Sequence, residues 1–257
     1  MQLALSLDDR HRDFAEIDAR LRTRFGQPGP WRRLDPVSQL VMGLIGGRTH
    51  EADSRRAFEA LYRRFGDWDL LRDAPVSAIH ESIQEVTNAD VKAERLKAAL
   101  NVVTAARGRL TLDFLRGLPV QHALCWLERL PGVGRKTSAA TLNFSTLQMP
   151  ALVIDTHHRR VLSRLRLVGP RASIPQAYDS VVPYLPATWT ADDLDDHHQL
   201  MKTLGQKICR HAAPVCRRCP LRNMCPTAAS QRTQSQRGWV PPHSKLAKVR
   251  TRTVREG

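Results

Sequence analysis

A lysine and an aspartate follow one glycine turn and have the residue types that covalent catalysis uses. The segment reads LPGVGRKTSAATLNFSTLQMPALVID. Gly132 and Gly134 permit a tight turn around Val133, and the predicted helix that follows points free N–H groups outward, where they can bind a phosphate. Lys136 lies in the first turn of this helix, and Asp155 ends the next apolar run. We interpret the segment as a phosphate-backbone clamp that contains a reactive amine. A solvated lysine at an ordinary helix–turn–helix corner is the alternative.

Four cysteines form a second chemical pattern, C-x6-C-x2-C-x5-C, at Cys209, Cys216, Cys219 and Cys225. Sites with four thiolates hold zinc or an iron–sulfur cluster. Structural zinc usually takes two close cysteine pairs, and only Cys216 and Cys219 form such a pair here. The spacing therefore favours a [4Fe–4S] cluster, with zinc as the alternative. The arginines between the ligands would give this loop a basic surface for phosphates.

The charge balance suggests a polyanionic partner. Lys and Arg number 40 against 25 Asp and Glu, a formal net charge of +15, which favours nucleic acid over a generally Arg-rich protein. No apolar run approaches the roughly 18 residues of a membrane span, and the N-terminus lacks the basic start of a signal peptide. We therefore expect a cytoplasmic, nucleoid-associated protein without membrane contact, whose cysteines are reduced or metal-bound.

Hydrophobic periodicity predicts an all-α chain of many short helices. Asp35 followed by Pro36 is a typical helix start, and Thr49 and Thr156 are further expected N-caps. The expected helices cover 8–25, 37–45, a segment from Thr49 to Phe65, 75–84, 92–106, 112–115, 122–130, 135–147, a segment from Thr156 to Leu165, 175–185 and 192–209. The apolar run 151–154 has no obvious strand partner.

Two features lie outside this helical pattern. Cys125 is expected in the core, inside the helical run HALCWLERL. Residues 229–257 are rich in Ser, Gln, Arg, Thr and Pro and have too few apolar residues to form a core. We predict a flexible basic tail that touches nucleic acid, and a solvated tail without fixed contacts is the alternative.

Three motifs together resemble the endonuclease III family of DNA glycosylases. They are LPGVGRKTSA, VIDTHHRRV and the cysteine loop, in this order and spacing, and DDHHQLMKTLGQKIC resembles the family's helix into its first cysteine. The resemblance covers about residues 30–228. It implies a two-domain all-α helix–hairpin–helix glycosylase fold with a DNA-binding cleft. A six-helix barrel would hold residues 30–145, and an iron–sulfur domain would hold residues 1–29 with 146–228, ahead of the tail.

The resemblance also implies roles for the two chemical residues. Lys136 would attack the sugar C1′, expel an oxidised pyrimidine and form a Schiff base, after which β-elimination cuts the strand. Asp155 would stabilise the cationic sugar or help to activate the amine. His157 would contact DNA, although an ordinary helix-start histidine is the alternative. The cluster would be structural, and the partner would be double-stranded DNA with a damaged base or abasic site, bound by a monomer.

Two positions depart from the family pattern. Aligning on Thr49 places Gly47 where the family commonly has a glutamine that fills the gap left by the flipped base, so Arg48 is the expected substitute. Asn88 stands about where the family has a wedge leucine. Both departures affect the opening of the duplex and leave the lyase residues in place. An abasic-site or mismatch specialist is therefore an alternative, as is a non-catalytic iron–sulfur DNA-binding module, against which Lys136 and Asp155 argue.

Overall fold

The computed structural model describes residues 7–29 and 32–230, and these residues form α-helices with short connections. No β-strand occurs among them, and one isolated bridge joins Leu34 to Ser145. The α-helices are α1 (Leu7–Phe25), α2 (Pro36–Gly46), α3 (Glu51–Phe65), α4 (Trp68–Asp73), α5 (Val76–Ser82), α6 (Ala89–Arg107), α7 (Val120–Leu127), α8 (Arg135–Phe144), α9 (Thr156–Arg164), α10 (Ile174–Val181) and α11 (Ala191–Lys207). Turns of 3₁₀ helix cover Asp113–Gly117, Val182–Tyr184 and Cys216–Arg218. The predicted all-α class is confirmed.

Apart from its first two residues, the predicted basic tail lies outside the described residues. Within the described part of the chain, no helix combines the length and the apolar character needed to span a bilayer.

Local sequence signals set several helix ends as expected. The Asp35 carboxylate accepts hydrogen bonds from the N–H groups of Val37 and Ser38, both at 3.0 Å, so it caps α2. Gly66 and Gly108 end α3 and α6 with φ angles of 68° and 72°, the left-handed conformation that glycine adopts at little cost.

The N-caps predicted at Thr49 and Thr156 are each wrong by one residue. Asp155 caps α9 instead, because its carboxylate accepts the N–H of His158 at 2.7 Å. Thr49 precedes the cap position of α3, and its hydroxyl accepts a hydrogen bond from Lys92 Nζ at 2.8 Å. Lys92, which is distant in sequence, therefore binds the Thr49 hydroxyl that the local pattern predicted to cap α3.

The core prediction for Cys125 is wrong, and one helix was not expected. Cys125 is exposed, because α7 buries the face that carries Ala123, Leu124 and Leu127. The unexpected helix is α4, which is six residues long and buries Trp68 and Leu71. A segment this short has too few turns to show a periodic pattern.

The helices that bear the two predicted catalytic residues are fixed by close packing. A Cβ added to Gly43 of α2 would lie 2.7 Å from Thr137 Cγ2 of α8, so these two helices touch closely. A Cβ added to Gly205 of α11 would lie 2.8 Å from His157 Cβ of α9. α11 also packs against α8 and α1. The division of the chain into two domains remains a prediction.

The two glycines of the turn differ in what they require, which gives a stability prediction. Gly132 has φ +80°, and a Cβ there would lie 3.0 Å from Arg95 Cδ and 3.2 Å from Leu44 Cδ2. Gly134 has φ −115°, lies at the N-cap of α8 and has open space around it. We expect Gly132→Ser to lower the free energy of unfolding by about 1–2 kcal/mol or more. Gly134→Ser should leave it equal or slightly higher, because serine is a good N-cap. Denaturant titration measures both, and equal destabilisation would contradict the assignment.

Candidate active site and cysteine loop

Lys136 is the second residue of α8, and its amine differs electrostatically from that of an ordinary lysine. Its side chain reaches solvent, but the surrounding protein partly desolvates the amine, and this desolvation is the largest influence and lowers its pKa. Three charged neighbours have smaller effects on this pKa. In decreasing order, the Asp155 carboxylate raises it, the Lys202 ammonium lowers it and the Glu51 carboxylate raises it. The net pKa of Lys136 is below the usual value for lysine. A larger fraction of the amine is therefore neutral, as a nucleophile requires.

Asp155 is a buried carboxylate, 9% exposed, at the start of α9. Burial raises its pKa, whereas charged His198 and the N–H of His158 lower it, with a net lowering. Burial lowers the pKa of His198 itself to about 4, so His198 is neutral near pH 7. With His198 neutral, the hydrogen bond from the His158 N–H is a contact that still favours the ionised form of Asp155.

Two buried histidines fix the chain just before Asp155. The Nδ1 atoms of His158 and His198 lie 3.2 and 2.8 Å from the carbonyl oxygen of Val153. Because burial lowers the pKa of both rings, neutral Nδ1–H groups can donate to this one oxygen from two helices. Sequence reasoning did not identify this role, although the paired histidines at 157–158 and 197–198 were a visible signal.

Arg48 and Asn88 lie exposed on two loops that are bonded together. Both residues have φ 55°, in the left-handed region. The Thr87 hydroxyl donates to the Arg48 carbonyl at 3.0 Å, and the Thr87 N–H donates to the Thr49 hydroxyl at 3.1 Å. The structure thus brings together the two positions that depart from the family pattern. Their contact with DNA remains a prediction.

The Lys92 side chain binds the loop that carries Arg48. Its Nζ donates to the carbonyls of Ile45 at 2.6 Å and Gly47 at 2.7 Å, in addition to the Thr49 hydroxyl. Burial and the nearby Lys136 lower its pKa to about 8. The three acceptors fix the backbone from which Arg48 projects, a function that the sequence pattern did not reveal.

His157 is held by neighbouring groups, whereas the glycines of the turn are exposed. His157 Nδ1 lies 3.1 Å from Arg160 Nη2, which also donates to the Gly205 carbonyl at 2.7 Å, so the ring is held against α11. In the turn, Val133 is buried while both glycines are exposed. DNA contacts from His157 and from the turn remain predictions.

The four cysteines of the loop lie close enough to influence one another electrostatically. Burial raises the pKa of the Cys216 thiol, and it raises the pKa of Cys219 to about 11, and in both cases the neighbouring cysteines add to the rise. Among the described residues, no three His, Cys, Asp or Glu side chains are arranged around a single metal ion. The four thiols thus form one group of sulfur donors, the donor type that both zinc sites and iron–sulfur clusters use.

Arg164, the last residue of α9, ties this loop to the helix that starts at Asp155. Its guanidinium donates to Cys209 Sγ at 3.1 Å, to the Arg210 carbonyl at 2.7 Å and to the His211 carbonyl at 2.8 Å. Its own carbonyl accepts from the Thr227 hydroxyl at 2.8 Å. Both ends of the cysteine loop are thereby attached to α9. No local sequence signal distinguishes Arg164 from the other arginines.

An all-α fold with an amine–carboxylate pair at two helix N-termini and a four-cysteine loop defines a helix–hairpin–helix protein of the DNA glycosylase type. No protein-family model matches the chain. The chain is 34% identical over 171 residues to the putative DNA glycosylase At3g47830 of Arabidopsis thaliana, covering 66% of this chain and 56% of that protein. It therefore spans just over half the length of this relative.

The chain also resembles two proteins over most of their length. The endonuclease III of Sulfolobus acidocaldarius is 28% identical over 188 residues, which cover 72% of this chain and 79% of that protein. The solved structure of a trapped endonuclease III–DNA covalent intermediate has a TM-score of 0.71 at 18% identity, covering 86% of this chain and 98% of that chain. These relatives and this solved structure support placing the chain in the endonuclease III family of helix–hairpin–helix glycosylases.

The charges around Lys136 give a prediction that separates the two roles suggested for Asp155. Asn at position 155 removes the carboxylate that raises the lysine pKa, so Asp155→Asn should lower the pKa of Lys136 further. A carboxylate that activated the amine by lowering its pKa would give the opposite shift. The measurement is an NMR titration of ¹³C-methylated lysines in the purified protein. Glu59→Gln, which neutralises an exposed carboxylate of α3, is the matched control and should leave the Lys136 titration unchanged.

Proposed function

We propose that this protein is a base-excision-repair DNA glycosylase with AP lyase activity, acting on oxidised pyrimidines in double-stranded DNA. The observation that carries the proposal is the position of Lys136, an amine of lowered pKa, beside the ionised carboxylate of Asp155. The net charge of +15 supports binding to DNA. We further propose that it works as a monomer in the cytoplasm, at the nucleoid.

The chemistry assigned to Lys136 is nucleophilic displacement followed by elimination. Its neutral Nζ attacks C1′ of the flipped nucleotide, the C1′–N bond to the base breaks, and the base leaves with a proton. Opening of the sugar ring gives a Schiff base between C1′ and Nζ. Loss of a proton from C2′ then expels the 3′ phosphate, which cuts the strand. A final hydrolysis returns the free amine.

The favourable contribution of Asp155 to the reaction is to the sugar, because its effect on the protonation of the amine is unfavourable. Its carboxylate raises the pKa of Lys136, which would favour the unreactive ammonium form. Its useful contribution is therefore to the transition state, where positive charge develops on the sugar as the base departs. The short bond from the His158 N–H fixes the carboxylate before the substrate arrives.

We also propose a [4Fe–4S] cluster held by Cys209, Cys216, Cys219 and Cys225. The lopsided C-x6-C-x2-C-x5-C spacing and the mutual electrostatic influence of the four thiols support it. When bound, the cluster supplies a rigid frame for the basic loop. Arg164 orients the loop through one thiol and the carbonyls of Cys209, Arg210 and His211, and so connects it to α9.

A second candidate function is an abasic-site or mismatch specialist with a narrowed lesion range. Arg48 and Asn88 favour it, since they occupy the exposed loops where the family commonly has a gap-filling glutamine and a wedge leucine. A polar asparagine cannot supply the apolar wedge that unstacks bases. The lyase residues would work unchanged on a nucleotide that has already lost its base.

Strand cleavage on defined duplexes decides between these functions. We expect the protein to cut duplexes that contain thymine glycol or an abasic site, and Lys136→Ala to lose both activities by at least about 100-fold. Lys207→Ala removes an exposed lysine of α11 and is the matched control. Cleavage of the abasic duplex alone would support the specialist. If the protein bound DNA but cleaved neither duplex, both proposed enzymatic functions would be contradicted.

The cluster proposal predicts a phenotype for Arg164 that does not depend on activity. Arg164→Met removes the hydrogen bonds to Cys209 Sγ and to the loop carbonyls, so the purified protein should hold less iron and sulfide per chain and should lose them faster to a chelator. Cys125→Ser alters an exposed cysteine outside the loop and should retain normal iron and sulfide. Normal retention by Arg164→Met would contradict the role assigned to the arginine.

A further inference from the structure

We propose that Glu51 and Lys202 are positioning residues for the reactive amine, because their ion pair joins α3 to α11 beside Lys136 and holds one charge of each sign near it. Lys202 Nζ donates to Glu51 Oε2 at 2.9 Å across 151 residues of sequence. The proposal deepens the proposed function, since it concerns the protonation of the same amine. Neither residue belongs to the sequence motifs that indicated the site.

The ion pair connects parts of the fold that otherwise pack on different neighbours. α3 packs against α2, α4 and α5, whereas α11 packs against α9, α1 and α8. Glu51 is the first residue of α3, immediately after the loop that carries Arg48. Lys202 lies in the second half of α11, four residues after His198. The pair therefore ties the loop expected to contact DNA to the helix that supports Asp155.

Lys136 interacts electrostatically with both members of the pair, and the two act in opposite directions. The Lys202 ammonium lowers the pKa of Lys136, and the Glu51 carboxylate raises it. Lys136 and Lys202 in turn lower the pKa of Glu51, so all three charges form one group. Because the two ends of the pair partly cancel, loss of either end leaves the other uncompensated next to the amine.

Other titratable groups around Lys136 do not duplicate this arrangement. Asp155 faces it from the start of α9, Lys92 from α6 and His198 from α11. His198 is neutral above about pH 4, and Lys92 already donates to three oxygen acceptors. Arg55, one turn along α3, lies 3.7 Å from Glu51 and reinforces its ionised form. Among these groups, Glu51 and Lys202 are the pair bonded to each other across the site.

The ion pair between Glu51 and Lys202 is open to solvent. The Glu51 side chain is 67% exposed and the Lys202 side chain is 26% exposed, so the bond lies at the surface. An exposed ion pair of this kind contributes little to stability. Its electrostatic influence on the neighbouring amine can therefore be changed by substitution without unfolding the protein.

The test is the pH dependence of borohydride trapping on a duplex with an abasic site, under single-turnover conditions, with the full-length cluster-loaded protein. We expect Lys202→Met to shift the midpoint of trapping to higher pH and Glu51→Gln to shift it to lower pH, each by roughly 0.3–1 unit. Lys202→Arg keeps the charge and should leave the midpoint near that of the unaltered protein. Glu59→Gln and Lys207→Met are the controls and should not shift it.

The direction of the shifts separates an electrostatic role from a merely structural one. A pair that served only to join two helices would give equal losses of trapping at all pH values, or shifts of the same sign from both ends, and either result would overturn the proposal. If the unaltered protein forms no trapped complex, the proposed function fails. The ¹³C-methyl titration of Lys136 in the same variants then decides the present proposal, which predicts the same two opposite shifts.

Discussion

The structure depends on one electrostatic constraint, the placement of a partly desolvated amine near a buried carboxylate whose pKa is lowered. Desolvation pushes Lys136 toward its neutral form, while Asp155 pulls it back toward the charged form. A fold can maintain this opposition only if neither side chain can move away. Here each residue belongs to the start of a helix, α8 or α9, and both helices are packed tightly against a glycine of a neighbouring helix. Lys202 and Glu51 add a second balance of charges around the same amine.

Helix α9 connects the amine–carboxylate pair to the cysteine loop. Asp155 caps its first turn and Arg164 closes its last, so nine residues connect the carboxylate with the loop that carries the four cysteines. α11 packs against it, with His198 near its middle and the first cysteine, Cys209, two residues beyond its C-terminal end. The cysteine loop is thereby connected through α9 to the helix start that carries Asp155.

Local signals in the sequence predicted much of the fold. Asp35 with Pro36, and the glycines at 66 and 108, act within a few residues, so their helix ends were predictable. Long-range contacts decided the positions where prediction was wrong. The Thr49 hydroxyl is taken by Lys92 from another helix, and Cys125 falls on the exposed face of a two-turn helix whose buried side is set by tertiary packing. The same reason explains why motifs revealed Lys136 and Asp155 but not Glu51, Lys202 or Arg164, which gain their roles through partners distant in sequence.

The most direct test of the central claim is to find the atom that becomes attached to DNA. The protein would be trapped by borohydride on a duplex with an abasic site, digested with a protease and mapped by mass spectrometry. The account predicts that the reduced sugar adduct lies on Lys136 and on no other lysine. An adduct on Lys92 or Lys202, the two other amines that interact with this site, would contradict the assignment of the nucleophile and would require the roles of all three lysines to be exchanged.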